Sequence, residues 1–124
     1  MSSAYTIGLF RGPEITPWLD DVARLRVTVF RDWPYLYEGD PAYEREYLKA
    51  YANSADSVVV LAFDGDAAVG LVNCIEGFST FKCRPLVNVH DVAVLASHRG
   101  RGIAEQMLAE AERIARARGA VKMT

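Results

Sequence analysis

Two groups of residues in the second half of the chain have the types and spacing to do chemistry. Glu76, His90 and Asp91 stand at the ends of neighbouring apolar runs. Carboxylates and imidazoles are the side chains that take up or release protons near neutral pH. Asp91 opens the segment Val92-Ala93-Val94, and His90 precedes it, pointing by strand alternation to the opposite face. Glu76, closing the preceding apolar run, could reach the same cleft. The second group is Arg99-Gly100-Arg101-Gly102-Ile103-Ala104, which joins an apolar run to a helix-patterned stretch. Glycines let backbone come close to a ligand. The unpaired amides and dipole of a helix start favour an anion, and arginines add charge, so the turn suits a phosphate. Plainer roles exist for each: Asp91 satisfying backbone groups, His90 packed in a core, Glu76 solvated, and the arginines solvated on an ordinary turn.

The elements that must hold these residues follow from pattern. Val87–Leu95 reads as a buried strand, Ala96–Gly102 as a polar turn, and Ile103–Arg118 as an amphipathic helix. Its apolar stripe is Ile103, Met107, Leu108, Ala111, Ile114 and Ala115, and Gly119 stands where a C-cap glycine belongs. Upstream, Ala4–Phe10 reads as a strand, and Thr16-Pro17 as the cap and first turn of a helix running to about Arg31. Asp40-Pro41 is a second start of the same kind, opening a helix to Tyr51 with Tyr43, Tyr47 and Tyr51 four apart. Ser57–Phe63 and Ala67–Glu76 pair across an Asp64-Gly65-Asp66 hairpin turn, and Gly77–Pro85 reads as a loop. Ala120–Thr124 resembles the opening of another strand.

Which phosphate the turn suits is narrowed by spacing. A Walker A loop needs Lys-Ser/Thr after its last glycine, where Ile103 and Ala104 stand. A dinucleotide fingerprint needs a small residue at the position of Glu105. The turn does match R-x-x-G-x-A, as Arg99, Gly102 and Ala104 behind Asp91-Val92-Ala93-Val94-Leu95. This resembles the acyl-CoA signature of the GNAT superfamily of N-acetyltransferases. The resemblance implies a mixed α/β (α+β) fold with a largely antiparallel central sheet flanked by helices, of which the chain carries the N-terminal portion. It implies acetyl-CoA as co-substrate, with Val92, Ala93 and Val94 along the pantetheine arm and Arg99, Gly100, Arg101, Gly102, Ile103 and Ala104 around the pyrophosphate. It implies acetyl transfer to a primary amine of a small molecule or peptide, with a backbone N–H of Val92–Val94 receiving the oxyanion. Asp91, then His90 or Glu76, are the candidates for the proton acceptor. Tyr35 and Tyr37, in the linker between the first two helices, are candidates for binding the acceptor, with Tyr43 and Tyr47 as further aromatic walls. The alternative is a non-catalytic acyl-CoA-binding or regulatory protein that keeps the turn.

Size and composition agree with one domain spanning 124 residues, of which 51% are hydrophobic and 24% charged. A net charge of -2 argues against nucleic acid as a partner. No run is apolar enough to span a membrane, and the N-terminus lacks the order of a signal peptide. Cys74 and Cys83 lack metal-ligand spacing, so no metal site and a reduced, cytoplasmic location are expected. In the superfamily a further helix and strands follow the strand begun at Ala120. The expectation is that the C-terminal part of the fold is missing here and that a homodimer covers the bare edge.

Overall fold

The computed structural model describes residues 5–31, 36, 38–79 and 84–120. Four strands, β1 (Tyr5–Arg11), β2 (Ser57–Asp64), β3 (Ala67–Ser79) and β4 (Arg84–Val94), form one antiparallel sheet in the order β1-β2-β3-β4. Helices α1 (Leu19–Phe30) and α2 (Pro41–Ala52) cover one face, and α3 (Ile103–Ala117) covers the other. This is the α+β architecture expected, and none of the described helices is long and apolar enough to cross a membrane.

Alternation along the strands builds the two cores. Val59, Leu61, Phe63, Leu71 and Ala93 face α1 and α2, together with Val22, Leu25 and Leu48. Val58, Val60, Val72, Cys74 and Val87 face α3, against Ile103, Met107, Ala111 and Ala115. All of these side chains are buried, so the central β2 and β3 are apolar on both faces, which explains their unbroken runs of Val, Leu and Ala.

Local signals set most element ends. The Asp40 carboxylate accepts from Tyr43 N at 2.8 Å and caps α2, whose first residue is proline. Gly65 takes the hairpin at φ 63 and Gly119 ends α3 at φ 72. Thr16-Pro17 does not start a helix. Residues Gly12–Trp18 form a 3-10 segment, entered at Gly12 with φ 47 and tied by Arg11 N donating to Glu14 Oε1 at 2.8 Å. Pro17, lacking an N–H, lies inside it, and α1 begins at Leu19 without a side-chain cap. Packing of Trp18 between Phe10 and Phe63, with ring centroids 5.2 and 5.0 Å away, holds that start instead. The expected loop at 77–85 is shorter than read: β3 continues to Ser79 and β4 begins at Arg84.

Two register shifts break the sheet, between Ala62 and Phe63 and between Asn73 and Cys74. At the second, Asn73 pairs with Asp91 and Cys74 with Val89, so His90 is the extra residue of a β-bulge in β4. The reading of 120–124 as a strand falls on residues outside those described, apart from Ala120.

Candidate active site

The turn that leads into α3 is shaped by its glycines. Gly100 and Gly102 both take φ +77, a left-handed conformation that costs an L side chain about 1–2 kcal/mol. A Cβ at either would meet no atom within 4 Å, so the backbone faces open space. Gly102 is the residue before α3 and no side chain caps the helix. The first helical amide bond is Gln106 N to Gly102 O at 3.1 Å, so the amides of Ile103, Ala104 and Glu105 have no helical acceptor. They border a cavity of about 210 Å³ lined by Val94, His98, Arg99, Gly100, Gly102, Ile103, Ala104 and Glu105. Donors, dipole and space give this turn the features of an anion cradle.

The two arginines of the turn are both anchored. Arg99 Nε donates to Val94 O at 3.0 Å, and Arg101 Nη1 donates to Tyr5 Oη at 2.7 Å. His98 is fixed beside them, Nδ1 against Ser97 Oγ at 2.7 Å and Nε2 against Asp64 Oδ2 at 2.9 Å. Anchored through Nε, Arg99 has no partner on its two terminal nitrogens among the described residues, so they can serve a ligand.

The cradle runs directly on from the outer edge of β4. Leu95 N donates to Val69 O at 2.9 Å, which sets the phase of the ladder. With Ala93 opposite Leu71 and Asp91 opposite Asn73, these two turn their backbone groups toward β3. Val92 and Val94 therefore turn theirs outward, along an edge with no strand beside it among the described residues. The Arg99 bond to Val94 O follows from that phase.

Of the three acid–base candidates, the structure brings two together. The bulge puts His90 and Asp91 on the same face of β4, the one toward α2, because an extra residue cancels one step of alternation. The expectation of opposite faces is thus corrected. His90 is exposed and lines a second cavity, of about 290 Å³, with Tyr47, Ala50, Tyr51, Ser54, Ser57 and Ile75. Glu76 lies elsewhere. It stands opposite Val87, which faces α3, and its carboxylate is bound by Arg118 Nη1 and lies 3.6 Å from Arg11 Nη1. Burial raises its pKa, and Arg11 opposes that rise. The reading that Glu76 reaches the Asp91 cleft is therefore overturned by strand register.

Asp91 is not a free carboxylate. Its Oδ2 accepts from Arg26 Nη1 and from Asn73 Nδ2, the latter at 3.2 Å. Arg26 also donates through Nε to both oxygens of Glu44, at 3.1 and 3.2 Å. Its guanidinium lies over the rings of Phe30 at 5.4 Å and Tyr47 at 5.6 Å. Burial works against the charge of Arg26, but Asp91 and Glu44 outweigh it and its pKa is raised. Glu44 is only 1% exposed and Asn73 is fully buried, its Oδ1 without a partner among the described residues. Arg26, Glu44 and Asn73 were not singled out from sequence. The signal was there: Val22, Arg26 and Val29, and Glu44, Leu48 and Tyr51, place one opposite charge on the buried stripe of each helix.

Tyr51 is buried against this network. Burial raises its pKa first, helped by a hydrogen bond with Tyr47 and the charge of Asp91. Tyr43 is 57% exposed and does not line the cavity. Tyr35 and Tyr37 lie outside the described residues. Among the described residues no cluster of His, Cys, Asp and Glu could hold a metal ion.

Residues 22–124 match the Acetyltransferase (GNAT) family. The chain belongs to the GNAT acetyltransferase family. It is 33% identical over 98 residues to an uncharacterized N-acetyltransferase of Archaeoglobus fulgidus, a match covering 75% of this chain and 64% of that one. The chain thus spans under two thirds of the length of that curated relative. Among solved structures, a probable acetyltransferase superposes with a TM-score of 0.81 at 25% identity, covering 96% of this chain and 77% of the other. An aminoglycoside N-acetyltransferase in complex with CoA superposes with a TM-score of 0.75 at 19% identity, covering 100% and 77%. That likeness shows a shared fold.

Proposed function

We propose that this GNAT chain moves an acetyl group from acetyl-CoA to a primary amine of a small molecule or peptide, by direct transfer within a ternary complex. The observation that carries this reading is the continuity of an uncapped, glycine-opened helix start with a strand edge whose outward groups belong to Val92 and Val94. The cradle fits a pyrophosphate: the amides of Ile103, Ala104 and Glu105 donate to it, and Arg99 and Arg101 neutralise it. The outward amides and carbonyls of β4 pair with the two amide units of pantetheine as with another strand. The CoA complex of a structural neighbour supports this reading.

The chemistry follows from the residues nearby. The neutral amine attacks the thioester carbonyl carbon, and a C–N bond forms as the oxygen becomes an oxyanion. The Val92 N–H, directed outward beside Asp91, stabilises that oxygen. His90, which is exposed, takes the proton that converts the bound ammonium to the neutral amine and, after attack, the proton lost by the nitrogen, returning each to solvent. The oxyanion then collapses to the carbonyl, the C–S bond breaks with its electron pair going to sulfur, and the sulfur takes a proton from solvent so that CoA leaves as the thiol. Asp91, held by Arg26 and Asn73, orients the amine rather than carrying its proton. The net charge of -2 supports an amine rather than a polyanion as the partner. A cytoplasmic homodimer that covers the β4 edge before the bulge, leaving Val92 and Val94 to the pantetheine arm, completes the reading.

The ion pair of Asp91 and the displacement of Glu76 favour one second reading: acyl-CoA binding without turnover. Calorimetric titration with acetyl-CoA, followed by thiol release in the presence of a panel of amines, separates the two. Binding with amine-dependent release of thiol supports the enzyme. Binding without release supports the non-catalytic reading, and no binding by the folded chain refutes both.

A further inference from the structure

The cavity between α2 and the β4 bulge has a lining of a particular kind. Tyr47, Tyr51, Ala50 and Ile75 form apolar and aromatic walls, while Ser54, Ser57 and His90 supply the polar groups. Tyr47 and Tyr51 meet edge to face with ring centroids 5.8 Å apart. On their other side these rings touch the charge network: Tyr47 lies 5.6 Å from the Arg26 guanidinium carbon, and Tyr51 feels the charges of Asp91 and Arg26. One cation against two carboxylates leaves that network with one net negative charge. Both described bonds to Asp91 end on Oδ2, so Oδ1 has no donor among the described residues.

We propose that this cavity is the acceptor pocket and that it takes a primary amine bearing a single positive charge on a compact apolar or aromatic arm. The proposal rests on the acetyl-transfer reading and adds the class of acceptor. The ammonium arrives at the His90 end; Asp91 does not line the cavity but follows His90 on the same face of β4, so its Oδ1 accepts one of the N–H groups there and the tyrosine faces add cation–π attraction. Among the described residues no unpaired arginine opposes it there, since Arg26 is held by Glu44 and Asp91. The arm extends along Ile75 toward Ser57, the residue opposite it in β2. At about 290 Å³ the cavity is at the small end for ligand sites. A polycationic sugar needs several carboxylates, and among the described residues this lining has none.

The test is an amide-resolved NMR titration of the 124-residue chain, first with CoA and then with 2-phenylethylamine, 2-phenylethanol or kanamycin. CoA reports on the cofactor reading alone: it should move the amides of Gly100, Gly102, Ile103 and Ala104, and a folded spectrum without those shifts refutes that reading. The amine should move Tyr47, Tyr51, Ser57 and His90 and bind at least tenfold more tightly than the alcohol. Kanamycin should give no saturable shift at those four amides. Ala50 is an exposed helix position, so Ala50→Phe should fill the cavity, keep the fold and the CoA shifts, and lose the amine. Asp91→Asn should bring amine and alcohol within twofold of each other. The proposal is overturned if CoA binds but the amine leaves those amides unmoved. Equal affinity for amine and alcohol in the native chain, tighter kanamycin binding at the same residues, or unchanged amine binding in Ala50→Phe would each overturn it too.

Discussion

Replacing Arg26 by Met tests whether the charge network is a coupled unit. The Glu44 side chain is 2% exposed, and both its described hydrogen bonds come from Arg26 Nε. Removing the guanidinium strands a carboxylate in the interior, at a cost of about 3–5 kcal/mol. A domain of this size has a stability of roughly 5–15 kcal/mol, so the loss is large but measurable. Asp91 suffers less, because its side chain is 22% exposed and keeps the Asn73 bond. In the double variant Arg26→Met, Glu44→Leu no charge is left stranded on α2, and stability should return to within about 2 kcal/mol of the native chain. Urea unfolding followed by circular dichroism, with unchanged m-values, gives the four corners of the cycle. A coupling of at least about 2 kcal/mol is expected. If the double variant is as unstable as the two single losses added together, with coupling below about 0.5 kcal/mol, the three charges do not act as a unit.

Three further outcomes are expected. Gly102→Glu puts a side chain and a like charge into the anion cradle, so calorimetry should find CoA affinity reduced at least about a hundredfold while the far-ultraviolet spectrum is kept; retained affinity would remove the turn from the site. Asp40→Ala removes the α2 cap and should cost about 1 kcal/mol in urea unfolding, whereas Asp40→Asn should be near neutral; equal losses would show that charge, not the cap, matters. Burial pushes the Cys74 thiol from its ordinary 9.0 up to about 11. The native state therefore keeps a proton that the unfolded chain loses, and this contribution to stability is full below pH 9 and lost as pH rises toward 11. Alkylation of Cys74 at pH 8, read from its own peptide by mass spectrometry, should be on the order of a hundredfold slower than in urea; comparable rates would contradict its burial.

Much of this protein is legible without coordinates because it is local. The stripe from Ile103 to Ala115, the Asp40-Pro41 start, the Asp64-Gly65-Asp66 turn and the glycines of the anion turn each depend on residues within one or two turns of chain. Propensity, capping and positive φ act over that range, so spacing alone reveals them. The start of α1 was not legible, because packing of Trp18 against Phe10 and Phe63 displaced a cap that looked sound. The acid–base residues show the same limit more sharply. One extra residue at His90 reverses alternation for that position, and strand register sends Glu76 to the α3 face and into the reach of Arg118. Arg26 meets Glu44 18 residues away and Asp91 65 residues away. The sequence determined which chemical groups the chain owns and the elements that carry them. Only the tertiary structure decided which groups meet, because pairing across a sheet and between its layers depends on register and packing that no short window contains.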